Sequence, residues 1–274
     1  MKMLATNRVP RPLLLFYFPL LFAACTKEEA AEVEQAQVVV ESYLSPGQAI
    51  QVRLTEEVPF AESGSLSLVD GLVVLLEHDG GTDTLQGTGN GTYTSSVDLA
   101  AQVGSSYSLR FTFSEAEVRA TTAVPPAPNG FALSTTTLEI PVIDLSNGPP
   151  TSPPVFPDPI ALSWNNPDQA YHLAVVENME TDPEPIGDED TPRRPSFRLE
   201  PTTANTSELS FRSFSYFGTH RIILYRLNAD YAALYLDNGS NSQNLATPQT
   251  NIVNGLGIFT GINSDTLLLE VVEQ

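Results

Sequence analysis

The feature that most constrains the fold is a series of short apolar runs in the first half of the chain, each closed by a turn signal. The segment QVVVESYL (37–44) is β-branched and ends at Ser45-Pro46-Gly47, and IQVRLTEEV (50–58) alternates between apolar and polar residues. Such alternation is typical of a strand with one side in a core and the other in solvent. Both segments therefore predict half-buried β-strands.

The same pattern continues as far as Val124. LVVLLEHD (72–79) is a continuous apolar run that predicts a central strand, and YSLRFTF (107–113) predicts another with its aromatic residues inward. Within GTGNG (87–91), Asn90-Gly91 predicts a tight hairpin turn, because both central residues of a type I′ turn need positive φ. No helix pattern follows GTGNG, so a phosphate-binding loop is not expected there. About seven such strands predict an antiparallel β-sandwich over residues 36–124.

A proline-rich stretch, VPPAPNG (124–130), marks a boundary, because prolines stiffen the chain and remove hydrogen-bond donors. The predicted second domain, 125–274, is again β-rich. Its long loops are Ser146–Pro159 and Asn178–Pro195, and its one helical candidate is DYAALYL (230–236), with Asp230 as the expected cap.

Part of this second region resembles a fibronectin type III module. In IALSWNNPDQAYHLAVVEN (160–178), Trp164 would pack across the core and Tyr171, Leu173 and Val175 would line the next strand. The expected fold is therefore all-β: two antiparallel β-sandwich domains, the second fibronectin type III-like with long loops and one short helix.

The N-terminal residues 1–24 predict a secretory signal. Residues 1–11 are basic without an acid, and residues 12–24 are apolar but too short to span a bilayer as a helix. Cys25, the single cysteine, directly follows two alanines, which resembles the bacterial lipoprotein signal. That resemblance implies that Cys25 carries fatty acyl chains such as palmitate and that residues 25–35 form an acidic tether. The alternative is an ordinary signal peptide with Cys25 incidental.

The residues behind this cysteine bear on which side of the membrane the protein faces. Lys27, Glu28 and Glu29 resemble the surface-export signal of Bacteroidetes lipoproteins. We therefore expect an outer-membrane lipoprotein that faces the cell surface. A plain solvated tether, with the protein on the periplasmic face, is the alternative.

Charge excludes two classes of partner. The chain has 13 Lys and Arg against 33 Asp and Glu, a formal net charge of −20 at pH 7. Nucleic acid requires a basic face, and so does peripheral attachment to anionic lipid. The membrane contact that we expect is the lipid anchor alone.

The sequence offers no catalytic constellation. Its three histidines, His78, His172 and His220, are far apart, and neither HExxH nor GxSxG occurs. His78 and His172 are interpreted as residues of strands. We therefore predict no enzyme and name no catalytic, cofactor-binding or metal-binding residue. A hydrolase with paired carboxylates is a minor alternative.

An acidic loop in the second region is a possible calcium-binding site. Its five carboxylates could supply the oxygen ligands that calcium prefers, although the spacing is not that of an EF-hand. A solvated loop is the simpler interpretation. The five residues are Asp182, Glu184, Asp188, Glu189 and Asp190.

Four segments together resemble a known family. They are the region 38–60, VPPAP (124–128), the region 213–235 and the tail from Thr250, of which NIVNGLGIF (251–259) is the most specific part. They are similar to the Bacteroidetes envelope lipoproteins catalogued as domain of unknown function 4249. The resemblance implies location and fold but no reaction. In the tail, Gly255 and Gly257 are expected to allow unusual dihedral angles or close backbone approach.

The predicted function is accordingly a lipid-anchored binding or accessory protein of the outer membrane. Its partner would be an outer-membrane receptor, another protein or a glycan, and by analogy the protein would accompany a TonB-dependent uptake system. The alternative is a structural or adhesive component of the cell surface. Loops on a rigid scaffold are the expected binding places.

Overall fold

A computed structural model describes residues 36–57, 66–96, 98–141, 155–187, 194, 196–236 and 249–274. The fold is all-β, as predicted, with one short α-helix and a single 3-10 turn at Phe211–Ser213 among the described residues. The strands are β1 Val38–Leu44, β2 Gln51–Glu56, β3 Val74–His78, β4 Gly81–Gly89, β5 Thr92–Thr94, β6 Ser106–Phe113, β7 Ala116–Ala123, β8 Asn129–Leu133, β9 Thr137–Ile140, β10 Ile160–Asn165, β11 Tyr171–Asn178, β12 Ser196–Arg198, β13 Thr206–Leu209, β14 Gly218–Leu227 and β15 Leu256–Glu273, and the helix is α1 Ala229–Leu236.

Most strands join one large sheet in the order β12-β11-β14-β15-β1-β2-β5-β4-β3-β6-β7, with β9 also paired to β15. A smaller sheet has the order β13-β10-β8. Pairing is antiparallel except that β15 runs parallel to β1 and to β9. The end strand β7 returns to contact β15, which lies inside the strand order. The amide of Gly261 in β15 donates to Oγ1 of Thr122 in β7 at 2.9 Å.

The predicted hairpin and the apolar face of β2 are confirmed, although Thr55, expected on the polar face, is buried. Asn90 and Gly91 have φ of 55° and 68° and join β4 to β5. In β2, Val52 and Leu54 are buried while Arg53 between them is exposed, as the alternation predicted.

Two hydrophobic cores follow the two halves of the chain. The first is built from residues 38–124 together with Ile252 and Phe259. The second is built from residues 131–271 and contains Trp164. The tail therefore contributes to both cores: Phe259 is buried in the first, and Leu269 and Val271 are buried in the second. The proposed domain boundary at residues 124 and 125 stays a prediction.

The long strand β15 connects these cores. Its first part pairs with β1, from Val39 opposite Leu256 to Leu44 opposite Gly261. Its second part pairs with β14, from Leu227 opposite Ile262 to Gly218 opposite Val271. β15 is thus paired with one strand from each half of the chain, β1 and β14. Within the described ranges, no helix has the length and apolarity needed to cross a membrane.

The helix was predicted correctly, but its start was not. α1 begins at Ala229, so Asp230 lies in its first turn and does not cap it. The Asp230 carboxylate accepts hydrogen bonds from the amide of Tyr231 at 2.8 Å and from the side-chain amide of Asn251. Asp230 thus ties the helix to the tail.

Candidate functional site

An open groove of about 780 Å³ lies between α1, the end strand β12 and one face of the large sheet. We call it the tyrosine groove. It is lined by Tyr43, Leu173, Val175, Glu177, Arg194, Ser196, Phe197, Arg198, Leu199, Glu200, Tyr225, Leu227, Tyr231, Tyr235 and Ile262.

The floor of the groove follows from the pleat of two neighbouring strands. In a β-strand successive side chains point to opposite faces. In β11 the even-numbered Ala174 and Val176 enter the second core, so the odd-numbered Leu173 and Val175 face the groove. Leu173 lies opposite Tyr225 of β14, which lines the groove as well.

Trp164 is buried in the second core, and Tyr171, Leu173 and Val175 lie in the next strand, β11, as predicted. The residues of β11 that share the core with Trp164 are Ala174 and Val176, on the opposite face of the strand from Leu173 and Val175. The apolar run of β11 is long enough to cover both faces of the sheet, which alternation alone could not distinguish from a one-sided strand.

Three tyrosines form the wall at the helix. Tyr231 and Tyr235 are four residues apart on α1, and their hydroxyl oxygens lie 2.9 Å apart. The ring of Tyr43 from β1 meets the ring of Tyr231 edge-on, with centroids 5.3 Å apart. Residues four apart share one helix face, so the sequence of α1 directs both of its tyrosines to the groove.

Burial makes three phenols of the groove harder to ionise. It raises the pKa of Tyr231, and the hydrogen bond with Tyr235 raises it further. Burial likewise raises the pKa of Tyr43 and of Tyr225, with the nearby charges of Glu41 and Glu177 adding to the respective shifts. At neutral pH Tyr43, Tyr225 and Tyr231 therefore present neutral hydroxyl groups to the groove.

The charged residues of the groove are not balanced. Glu177 is paired with Arg221, whose Nε lies 3.0 Å from the Glu177 carboxylate. Arg198 extends from β12 to α1, with its guanidinium carbon 4.7 Å from the centre of the Tyr235 ring. Arg194 and Arg198 together outnumber Glu200, so the groove carries a positive excess in a chain of net charge −20.

Comparison with protein-family models identifies a family for most of the chain. The family described as "Domain of unknown function (DUF4249)" matches residues 26–267. The chain belongs to the DUF4249 family. No curated protein is significantly similar to it. The membership of this family that the sequence predicted is therefore confirmed, and the lipoprotein character stays a prediction.

In this DUF4249 protein, the segment NIVNGLGIF joins the tail to the first core. The side chain of Asn251 pairs with the backbone of Phe259: its Oδ1 accepts from the Phe259 amide at 3.0 Å, and its Nδ2 donates to the Phe259 carbonyl at 2.8 Å. Gly257 has φ of +95°, and a Cβ there would lie 2.0 Å from the carbonyl oxygen of Val40. The expected close backbone approach at Gly257 is confirmed.

Several residues predicted to carry function lie outside the described ranges. These are the lipidation residue Cys25 and the export-signal residues Lys27, Glu28 and Glu29. Their roles in this DUF4249 protein stay predictions.

The acidic loop is described only in part, since Asp188, Glu189 and Asp190 also lie outside those ranges. In the part of the chain that the structure describes, no group of three His, Cys, Asp or Glu residues could hold a metal ion. Calcium binding at this loop therefore stays a hypothesis.

The histidines of the DUF4249 protein have local structural partners. Nε2 of His78, at the end of β3, lies 2.7 Å from Oδ2 of Asp83, and Nδ1 accepts from the amide of Gly80 at 3.1 Å. His172 lies in β11, as expected, with its ring 5.4 Å from the ring of Trp164. His220 contacts the Gly218 carbonyl through Nδ1 at 3.0 Å. Burial lowers the pKa of both His172 and His220.

The sequence directed attention to loops, whereas the groove is built mainly from strands and a helix. Among the described residues of the loop Asn178–Pro195, Arg194 alone lines it. Two features of the sequence could have indicated the groove. One is β11, which is apolar on both faces, and the other is the pair of tyrosines four residues apart on a short helix. Neither identifies a site without knowing that Tyr43, nearly 200 residues away in the sequence, packs on the same helix.

Proposed function

We propose that this DUF4249 protein is a non-catalytic binding protein, lipid-anchored to the outer membrane at Cys25 and facing the cell surface, where it accompanies an uptake system. The observation that carries the binding role is the tyrosine groove. Ligand sites are typically clefts of roughly 300–1,000 Å³ with apolar and aromatic walls and a few polar groups. The groove, at about 780 Å³, fits that description.

The build of the groove supports a binding role over a structural one. Its floor is nearly closed to solvent, with Leu173 and Leu227 only 5% and 4% exposed, whereas Phe197 at its rim is 39% exposed. A rigid sheet therefore supplies an apolar base, and side chains that can contact a ligand surround it. A purely adhesive or structural role would need no such cleft.

The polar contacts of the groove are those of a binding surface. A carboxylate-based hydrolase needs two carboxyl groups that are both directed at the substrate. Of the two carboxylates in the groove, Glu177 accepts hydrogen bonds from the Arg221 guanidinium and is engaged in that ion pair.

The location rests on the N-terminal sequence. The apolar segment before Cys25 and the Lys27-Glu28-Glu29 stretch behind it support lipidation and surface export. Several acyl chains on one cysteine would make the anchor durable, because each buried methylene contributes about 0.8 kcal/mol.

The binding role is tested by asking whether the protein carries a bound small molecule when it is isolated. The full chain is released from its own outer membrane in mild detergent and weighed by native mass spectrometry. We expect a non-covalent small-molecule adduct on the wild type and on Arg212→Gln, a charge change on the 3-10 turn that lies outside the groove, and its loss from Tyr235→Ala. Equal amounts of adduct on all three chains would exclude the groove as the binding site.

The accessory role has a test of its own. Co-purification of an integral outer-membrane protein would support the accessory role, and loss of cell attachment on deletion would favour adhesion.

A further inference from the structure

The tyrosine groove combines an apolar base with a rim that carries two arginines. The base is made of Leu173, Val175, Leu227 and Ile262. None of these side chains has a polar atom, so the part of a ligand that lies on them must itself be apolar to replace the water there.

The rim differs from the rest of the chain in charge. Beyond Lys27 every basic residue is an arginine, and Arg194 and Arg198 both line this groove. Because Arg221 neutralises Glu177, Glu200 is the one carboxylate of the lining that opposes them. A positive excess on an acidic protein selects an anion, since the remaining surface repels one.

The guanidinium of Arg198 is positioned by contacts with Tyr235. Its guanidinium lies 4.7 Å from the centre of the Tyr235 ring, and its Nη1 is 3.4 Å from the Tyr235 hydroxyl. Guanidinium groups stack on aromatic rings and still offer several N–H donors in a plane, which suits a carboxylate. The Tyr231 and Tyr235 hydroxyls, which are hydrogen-bonded to each other, lie beside it.

We propose that the tyrosine groove binds a small soluble amphipathic anion, with a flat apolar body on the half-buried Val175 and Ile262 and one carboxylate at Arg198. This deepens the proposed function and rests on it, because it names the ligand class of the same groove. The carboxylate forms charge-assisted hydrogen bonds with Arg198, and the apolar body displaces water from the sheet.

The test compares 2-naphthoate with 2-naphthamide, which share one apolar body and differ in charge. Titration calorimetry uses the full chain in mild detergent, with protein-free micelles as the blank. We expect the wild type to bind the naphthoate about fivefold more tightly, and this preference to shrink as salt is raised, because added ions screen an exposed charge. Arg198→Gln should bind both compounds alike, and Arg212→Gln should keep the preference.

The outcomes separate this proposal from the proposed function. If Tyr235→Ala weakens both compounds but Arg198→Gln leaves the preference intact, the groove binds ligands without selecting charge, and only the present proposal is overturned. If neither compound binds the wild type, or Tyr235→Ala alters neither affinity, the groove is not a site for such ligands and the present proposal is overturned; the proposed function fails as well only if native mass spectrometry also shows no adduct that depends on Tyr235. Thermal melting of each variant checks that it is folded.

Discussion

Replacing Gly257 by alanine should destabilise this protein severely, and the structure allows the cost to be worked out. Gly257 has φ of +95°, which side chains with a Cβ rarely adopt. Such strain costs on the order of 1–3 kcal/mol. The new Cβ would also lie 2.0 Å from the Val40 carbonyl oxygen and 2.9 Å from two further backbone atoms of that residue. Overpacking of this kind costs roughly another 1–3 kcal/mol.

The clash cannot be relieved cheaply, because Val40 belongs to a strand that is paired on both sides. It lies opposite Leu54 in β2 and opposite Gly257 itself in β15. We therefore expect Gly257→Ala to lower the free energy of unfolding by about 2–6 kcal/mol, a large part of the 5–15 kcal/mol that holds a typical domain together.

Gly47→Ala is the matched control. Gly47 also has a positive φ, +74°, but no atom lies within 4 Å of the position a Cβ would take. Only the backbone cost, about 1–2 kcal/mol, applies there. Urea unfolding followed by circular dichroism should show the larger shift of midpoint for Gly257→Ala. Equal shifts for the two variants would refute the argument that the tail packs tightly against β1.

Two further predictions concern stability. Burial depresses the folded-state pKa of His172 and His220 below the ordinary value of about 6.5, so the unfolded chain takes up protons first as the pH falls. The stability they contribute should be complete above pH 6.5 and decline below it; a urea midpoint that does not fall between pH 7.5 and pH 5 would contradict this. Asn251→Ala should leave the amide and carbonyl of Phe259 unpaired and cost about 2–3 kcal/mol, measured by urea unfolding; a loss under 1 kcal/mol would show that water replaces the Asn251 side chain.

The sequence predicted local structure well where one residue type decides it. Asn90-Gly91 predicted its turn because positive φ favours these residues, and the alternation in β2 predicted its buried face because that strand has a single apolar side. The helix was found from its apolar and tyrosine spacing. Its start was misplaced because aspartate favours the cap as well as the first turn, and the spacing alone could not distinguish the two positions of Asp230.

Long-range pairing could not be predicted from these patterns. β15 runs parallel to β1 although more than 200 residues separate the two strands, and one strand serves both cores. Alternation gives the faces of a strand but not its partners. The tyrosine groove depends on that pairing, because it brings Tyr43 of β1 next to Tyr231 of α1. The groove therefore became visible only once the strand order was known.

The most direct test of a lipid-anchored surface protein is protease treatment of intact cells. Proteinase K is added to wild-type cells and to cells with Cys25→Ala, and the chain is followed by immunoblot, with a periplasmic protein as the control for intact membranes. We predict that the wild-type signal disappears from intact cells while the periplasmic control survives, and that the Cys25→Ala chain is no longer found in the outer-membrane fraction. A wild-type chain that stays protected until the outer membrane is opened would contradict surface exposure, and a Cys25→Ala chain that remains in the outer membrane would contradict the lipid anchor.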